Sequence, residues 1–480
     1  MAFSISDELA REIKDFTGEN VFSCFQCQKC SSGCPVSEYF DLAPNQLIRF
    51  IQLGLKEEVL RAQTLWLCAM CETCAVRCPH DINITKIMDY LRIVAQKEGK
   101  VSPLPKAVIF NRAALRGVKI FGRMYELQLM GEVYLRQAIS RTLSWSSFIK
   151  EEIPIAYQLW KKGRLTLLPS FGKPKLALHK EKKRESIAYY PGCSLHQTAK
   201  EYDIATRAVF RALDVAVEEP KDWSCCGSTP AHCTDYELSL LLPLKDLVYM
   251  EGEGYNYLTT PCPSCFLRLR YAQREFKKPG LREEIEKKLG VLPKEEIKVD
   301  HLLETLTEVV GLERIKRRVK RNLGRWKVVC YYGCIITRPP KITGHQHHEN
   351  PSEMEKLVQA LGLKPLDWSY RTRCCGATLG ISQPSIALKL TEKILRNAKA
   401  VTAQAIIVAC PLCQINLDTR QEQISRLSGE QFHIPIIYIS QLIGLAFGYS
   451  EKELGLDKNF IPLVNEKFWH GPINEKIYPE

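Results

Sequence analysis

Apolar residues recur along this chain in two rhythms. From residue 82 to 97 they fall at helical intervals, Ile84, Ile87, Met88, Leu91 and Val94, which predicts an amphipathic helix. Helical spacing returns in 108–115, 124–135, 199–213 and 352–361. Short, dense apolar runs at 187–190, 327–332 and 405–408 read instead as buried strands. After residue 186 the two rhythms alternate, which predicts α/β units on mostly parallel sheets, preceded by an α-helical region. In that architecture sites gather just beyond the carboxyl ends of strands. Residues 1–14 carry Asp7, Glu8, Arg11 and Glu12 and read as a short helix capped by Ser4 or Ser6, not as a secretory signal. No apolar run approaches the roughly 20 residues that span a bilayer.

The α/β region repeats itself. Ile187-Ala-Tyr-Tyr-Pro-Gly-Cys193 matches Val328-Val-Cys-Tyr-Tyr-Gly-Cys334, and Trp223-Ser-Cys225-Cys226-Gly227 matches Arg373-Cys374-Cys375-Gly376. Tyr257-Leu-Thr-Thr-Pro-Cys262-Pro-Ser-Cys265 matches Ile406-Ile-Val-Ala-Cys410-Pro-Leu-Cys413. Pro169, Gly172 and Pro174, then the charged run 180–185, mark a boundary before it. For 480 residues the expected division is 1–100, a helical extension and linker over 101–185, a first half-domain over 186–325 and a second over 326–480. The 101–185 segment has no cysteine and no motif; it reads as plain packing, with a partner-gripping surface as the alternative.

Twenty cysteines change the picture. Eight fall between residues 24 and 78 in one spacing used twice, Cys24-x-x-Cys27-x-x-Cys30-x-x-x-Cys34-Pro35 and Cys68-x-x-Cys71-x-x-Cys74-x-x-x-Cys78-Pro79. Three close thiolates hold three irons of a cubane [4Fe–4S] cluster, and the fourth of each run serves the other cluster. The spacing therefore predicts a ferredoxin-like domain with one cubane on Cys24, Cys27, Cys30 and Cys78. The second would use Cys68, Cys71, Cys74 and Cys34. Zinc sites pair two C-x-x-C units across a longer gap. Disulfides do not suit the reducing cytoplasm expected of a chain without an export signal.

Each half of the repeat carries C-x(n)-C-C-G-x(m)-C-x-x-C, with n of 31 then 39 and m of 34 then 33. Adjacent side chains on an extended strand point apart. Gly227 and Gly376 would permit the turn that brings both thiols to one centre. Five thiolates exceed the four of a cubane, so if all five bind a four-iron centre, one sulfur bridges irons and the cluster is not a regular cube. Eighteen cysteines are then used; Cys330 reads as a small buried apolar residue of a strand, and Cys233, in the loop after the first C-C-G, as a bystander.

The formal charge of +13 takes cysteines as neutral. An oxidised cubane with four thiolates carries roughly −2. The basic balance thus fits anionic clusters, an acidic partner or a negatively charged substrate better than nucleic acid.

These motifs resemble the heterodisulfide reductases. Residues 187–450 look like the two CCG domains of the B-type subunit of that family. Residues 20–97 look like its C-type, ferredoxin-like subunit, and the order is similar to the D-type fusion, the catalytic subunit of the membrane-linked enzyme. The resemblance implies two noncubane [4Fe–4S] clusters as catalytic centres, one on Cys193, Cys225, Cys226, Cys262 and Cys265, the other on Cys334, Cys374, Cys375, Cys410 and Cys413. It implies an oxidoreductase that splits or forms a disulfide between those clusters with single electrons relayed by the cubanes. It further implies no flavin in this chain and a hetero-oligomeric complex with an A-type flavoprotein or a membrane cytochrome b. Any attachment to the inner membrane face of the cytoplasm would be made through that partner. Family substrates carry anionic groups, so Arg338, Lys341, Arg371 and Arg373 are candidate anchors. His196 is a candidate proton donor beside a structural role, and His345, His347 and His348 form a polar loop. The iron–sulfur subunits of glycolate, lactate and anaerobic glycerol-3-phosphate dehydrogenases resemble the same plan, and on that alternative the chain only relays electrons. A zinc-rich binding protein, a third reading, would be colourless; about 16 irons per chain from four four-iron clusters would exclude it.

Overall fold

The computed structural model describes residues 7–100, 102–174, 185–278, 280–294, 297–324 and 326–463. The expected caps Ser4 and Ser6 and the run 180–184 lie outside the described residues. The first helix spans Glu8–Thr17 and closes on Gly18 in the left-handed conformation. With Pro44–Gln52, Lys56–Arg61 and Ile84–Lys97 it buries Ile13, Leu47, Ile51, Leu60, Ile87 and Leu91 in an all-helical core. Asn83 caps the last of these helices by accepting the Lys86 N–H at 2.9 Å.

Helices Pro105–Phe121 and Glu126–Ile139 follow, packing Ala113 and Ala114 against Leu129 and Val133. A helical stretch then runs unbroken from Trp145 to Lys161. This middle segment does more than pack. Its turn at residues 122–124 touches the first half of the repeat, because the Gly122 carbonyl accepts the Cys225 N–H at 2.8 Å. Arg123 donates to the Trp223 carbonyl at 3.0 Å and lies over the Trp223 ring. Gly122 has φ of +74°, and a Cβ there would sit 1.5 Å from the Gly172 carbonyl oxygen. Gly122→Ala is therefore expected to destabilise the chain by about 2–4 kcal/mol through left-handed strain and overpacking, read as a fall in denaturant midpoint.

The repeat forms two parallel sheets. In the first, β1 (Ile187–Tyr189), β2 (Val217–Glu218), β3 (Tyr257–Thr260) and β4 (Lys298–His301) lie in the order β2-β1-β3-β4. In the second, β5 (Val328–Tyr331), β6 (Ala405–Val408) and β7 (Ile436–Tyr438) lie in that order. Every pairing is parallel, and β6 is buried along its whole length, as a covered parallel strand requires. The second half has no strand equivalent to β2 among the described residues. Leu366 nevertheless donates its N–H to the Val328 carbonyl at 2.7 Å.

The halves share one core. Helix Lys200–Ala212 of the first packs on helix Ile439–Ala446 of the second, and Tyr202 stacks on Tyr438 with centroids 3.9 Å apart and planes 7° from parallel. Arg164, fully buried, ties the middle segment to both halves. Its guanidinium lies 2.9 Å from Glu201 and 3.5 Å from Asp418, and it donates to the Thr198 carbonyl at 2.6 Å and Gln414 Oε1 at 3.0 Å. The helical N-terminal part packs against the second half through Val36, Leu67, Ala69, Leu379, Ile386 and Leu390. Among the described residues no helix is long and apolar enough to cross a membrane.

Candidate metal centres and the cavity between them

The two N-terminal cysteine runs fold alike. Gln26 and Gln28 flank Cys27, Met70 and Glu72 flank Cys71, and all four have positive φ, between 52° and 63°. Such backbone costs a non-glycine residue about 1–2 kcal/mol, and its repetition at matching places marks a shape imposed on both loops. The consequence is thiols turned inward. Cys24, Cys27, Cys30 and Cys78 line one small cavity, and Cys34, Cys68, Cys71 and Cys74 line another. Each set crosses between the two runs. A donor set of four thiols around one void fits a soft thiolate-bound centre of the [4Fe–4S] kind.

In the repeat, the cysteines sit beyond strand ends. Cys193 follows β1, Cys262 follows β3 and caps helix Pro263–Glu275, Cys334 follows β5, and Cys410 follows β6 and caps helix Pro411–Thr419. Gly227 and Gly376 both have φ of +77° and make the turn after each adjacent pair. A buried tyrosine holds that turn in each half: Tyr190 donates to the Ser224 carbonyl at 2.5 Å and Tyr331 to the Arg373 carbonyl at 2.7 Å. Both carbonyls belong to the residue just before the pair. The glycine at the end of each strand's loop leaves room for sulfur, since a Cβ on Gly192 would lie 2.9 Å from Cys265 Sγ and one on Gly333 would lie 2.9 Å from Cys413 Sγ.

The thiols within each half adjoin one another. Cys226 and Cys265 sulfurs are 3.4 Å apart, Cys375 and Cys413 sulfurs 3.7 Å. Cys225 accepts from Cys193 and Cys226, which holds it well below the ordinary thiol value. Cys375, bonded by Cys413, falls to about 7. Backbone N–H groups of Met124, Gly376 and Cys413 point at the sulfurs of Cys193, Cys374 and Cys410, at 3.3–3.4 Å. Donors of this kind stabilise thiolate charge and orient ligands. Nine of these ten cysteines are buried and Cys334 partly so, in accord with a cluster-binding lining.

The three parts converge on one cavity. Cys71 accepts a hydrogen bond from Cys374 and is pulled down to about 6. Cys334, Cys374, Cys375, Cys410 and Cys413 line this cavity from one side, and Ser228, Thr229, His232 and Ser264, which neighbour the first set, line it from another. It adjoins a larger one of about 410 Å³, with Glu72, Asp89, His232, Leu267 and Arg268 on the walls of both. Arg268 is the cation of this junction. It touches the Tyr271 ring at 5.0 Å but has no hydrogen bond or ion pair among the described residues. Beside it, His232 Nδ1 lies 2.8 Å from Asp89 Oδ2. Burial pushes His232 below the ordinary histidine value, and burial lifts Glu72 to about 8.

Other sequence candidates are engaged elsewhere. Arg338 is buried, donating to Thr73 Oγ1 at 3.0 Å and to the Thr372 carbonyl at 3.1 Å, so it joins two parts of the chain and is not a free anion anchor. Arg371 pairs with Asp367 and Glu355, Lys341 with Asp81 at 3.3 Å, and Arg373 lies over Tyr370. His196 faces Glu219 at 2.8 Å and Trp223, away from the cavity lining. His345 pairs with Glu304 at 3.2 Å, while His348 lines the larger cavity. Cys330 is buried within β5, as expected. Cys233 is more than apolar filling: Arg92 donates to its sulfur at 3.4 Å and to Asp89 at 2.7 Å. Asp89, His232 and Cys233 have metal-compatible spacing, yet the Arg92 guanidinium already supplies positive charge there. Sequence reading missed Arg268, Asp89 and His232, which carry no local motif.

With this geometry in view, comparison with known proteins is informative. The 4Fe-4S dicluster domain family matches residues 20–82, and the Cysteine-rich domain family, CCG, matches residues 187–270 and 328–418. The B-type subunit of the ferredoxin/F(420)H(2)-dependent CoB-CoM heterodisulfide reductase of Methanosarcina acetivorans is 29% identical over 282 residues, 57% of this chain and 93% of that one. The C-type subunit of the H(2):CoB-CoM heterodisulfide,ferredoxin reductase of Methanothermobacter marburgensis is 35% identical over 105 residues, 22% of this chain and 57% of that one. The 8-methylmenaquinol:fumarate reductase membrane anchor subunit of Wolinella succinogenes is 34% identical over 281 residues, 58% of this chain and 98% of that one. These matches define an iron–sulfur protein that couples a dicluster domain to two CCG domains. The chain belongs to the heterodisulfide reductase family, with a C-type part joined to a B-type part as in the D-type fusion.

Proposed function

We propose that this chain is the component of a heterodisulfide reductase-type complex in which a small anionic disulfide is reduced to two thiols or formed from them. The two dicluster sets, Cys24, Cys27, Cys30 with Cys78 and Cys68, Cys71, Cys74 with Cys34, would hold cubanes. The two CCG sets, from Cys193 to Cys265 and from Cys334 to Cys413, would hold noncubane clusters. When bound, the clusters supply single electrons and iron sites with affinity for sulfur. The supporting observation is the shared cavity, bordered by both CCG segments and adjoined by Cys71.

The chain's own residues bind and protonate. Reduction consumes two electrons and two protons per disulfide. Arg268, with no hydrogen bond or ion pair among the described residues, offers its planar fork to an anionic group on the substrate. His232 rests neutral because it is buried, and takes a proton when negative charge appears beside it; Asp89 orients its ring. Electrons would come from an A-type flavoprotein or a cytochrome b partner.

The test is oxidation of a reduced dye by the cluster-loaded protein with candidate anionic disulfides. Arg268→Gln is expected to raise KM about 10–100-fold with little change in kcat, the worth of a charge-assisted hydrogen bond. A second reading, electron relay without catalysis, draws on the relative whose name places it in a fumarate reductase. No turnover with any disulfide, together with tight binding to a flavin-dependent dehydrogenase, would favour that reading.

A further inference from the structure

Large apolar side chains are unevenly exposed on this molecule. Of the seventeen exposed ones among the described residues, twelve lie between Ile120 and Phe171. Five of them form a single series along the helical stretch Trp145–Lys161: Trp145, Ile149, Ile153, Tyr157 and Trp160, each 45–61% exposed. Steps of four, four, four and three residues put them on one side of a helix. The opposite side is spoken for. Phe148 packs on Tyr134 at 4.7 Å, and Leu159 is buried.

The charges of this stretch are sorted as well. Glu151 turns to Gln423, which donates to it at 2.6 Å, and Glu152 faces Tyr134 and Arg420. Within residues 141–161 the exposed ionic residues are cations, Arg141, Lys150 and Lys161. Arg141, Lys150 and Lys161 make no ion pair among the described residues. An apolar stripe with indole and phenol rings, bordered by Arg141, Lys150 and Lys161 and exposing no carboxylate within the stretch itself, matches the depth profile of a bilayer surface. Rings sit at the headgroup level, aliphatic groups reach the acyl boundary, and cations meet anionic lipid.

We propose that the face formed by Trp145, Ile149, Ile153, Tyr157 and Trp160 seats this chain directly on an anionic lipid surface, lying in the headgroup plane without spanning it. The proposal is independent of the disulfide chemistry above.

Sedimentation of the cluster-loaded full chain with phosphatidylcholine vesicles, with and without phosphatidylglycerol, tests it. The chain is expected to bind the anionic vesicles and to bind them at least about 10-fold less well as the Ile149→Glu/Trp160→Glu variant. Lys150→Gln/Lys161→Gln should weaken anionic binding by about 10–30-fold. Quenching of tryptophan emission by brominated lipid should fall when Trp145 and Trp160 are both replaced by Phe. Cluster absorbance and unfolding midpoint, unchanged in all variants, report that they fold. Failure to bind anionic vesicles overturns the proposal, as does binding unaltered by Ile149→Glu/Trp160→Glu. A change in oligomeric size on that substitution, with no vesicle binding by the parent, also overturns it and makes the face a contact between copies or with another protein.

Discussion

Replacing Arg164 with methionine is expected to destabilise the chain by about 3–5 kcal/mol, because two carboxyls lose their buried counter-charge. Glu201 and Asp418 are both essentially inaccessible to water, and burial raises both pKa values, Glu201 to about 7. The sign of the pH effect follows. In the fold Glu201 keeps a proton that the unfolded chain releases above about 4.5. Its contribution is therefore complete below that value and is lost as pH rises through about 7. Without the guanidinium, ionising either carboxyl is harder still, so the loss at about pH 8 should exceed that at about pH 5.5, where protons can neutralise both groups. Denaturant midpoints of the two proteins at both pH values measure it. Arg164→Lys should fall between, retaining charge but not the fork that reaches the Thr198 carbonyl and Gln414. An equal loss at both pH values would mean that the residue matters only for packing.

The second large effect concerns the adjacent cysteines. On the proposal of four four-iron clusters, Cys226→Ala and Cys375→Ala should each lower iron from about 16 to about 12 per chain, the content of one four-iron centre. The disulfide turnover proposed for the chain should fall by more than about 100-fold, beyond what loss of an outer partner of a metal site costs. The spectroscopic signals of the dicluster part should persist, since Cys24 to Cys78 are untouched. Cys330→Ala, made within β5, should keep full iron and lose only about 1 kcal/mol of stability. Full iron in Cys375→Ala would remove this cysteine from the ligand set.

What the sequence made legible was local or periodic. Cysteine spacing is set within a few residues, so the thiol groupings could be written down from Cys24 to Cys78 alone; in the fold Cys24, Cys27, Cys30 and Cys78 line one void and Cys34, Cys68, Cys71 and Cys74 another. The strands of the duplicated region are short but densely apolar, and β6 was readable to the residue. β2 escaped because two residues carry no period. Arg268 escaped because, on a helix rich in arginine, nothing local distinguishes a guanidinium facing a cavity without an ion pair from a solvated one; only the packing of three parts of the chain places it there. Arg338 misled for the converse reason. It follows a cysteine as an anion anchor would, but Thr73, from a distant part of the chain, occupies its donors. The turn at Gly122 was unreadable because its work is done by a backbone carbonyl and by the Met124 N–H, which no side-chain pattern announces.

The stack of Tyr202 on Tyr438, at the heart of a hydrophobic interior common to both repeats, has a mechanical corollary. Jaws fused at the root have a fixed gape. On the proposed function, selection by bulk is then settled while the polypeptide folds, before any guest arrives, and a wider guest would require carving the walls instead of loosening a hinge.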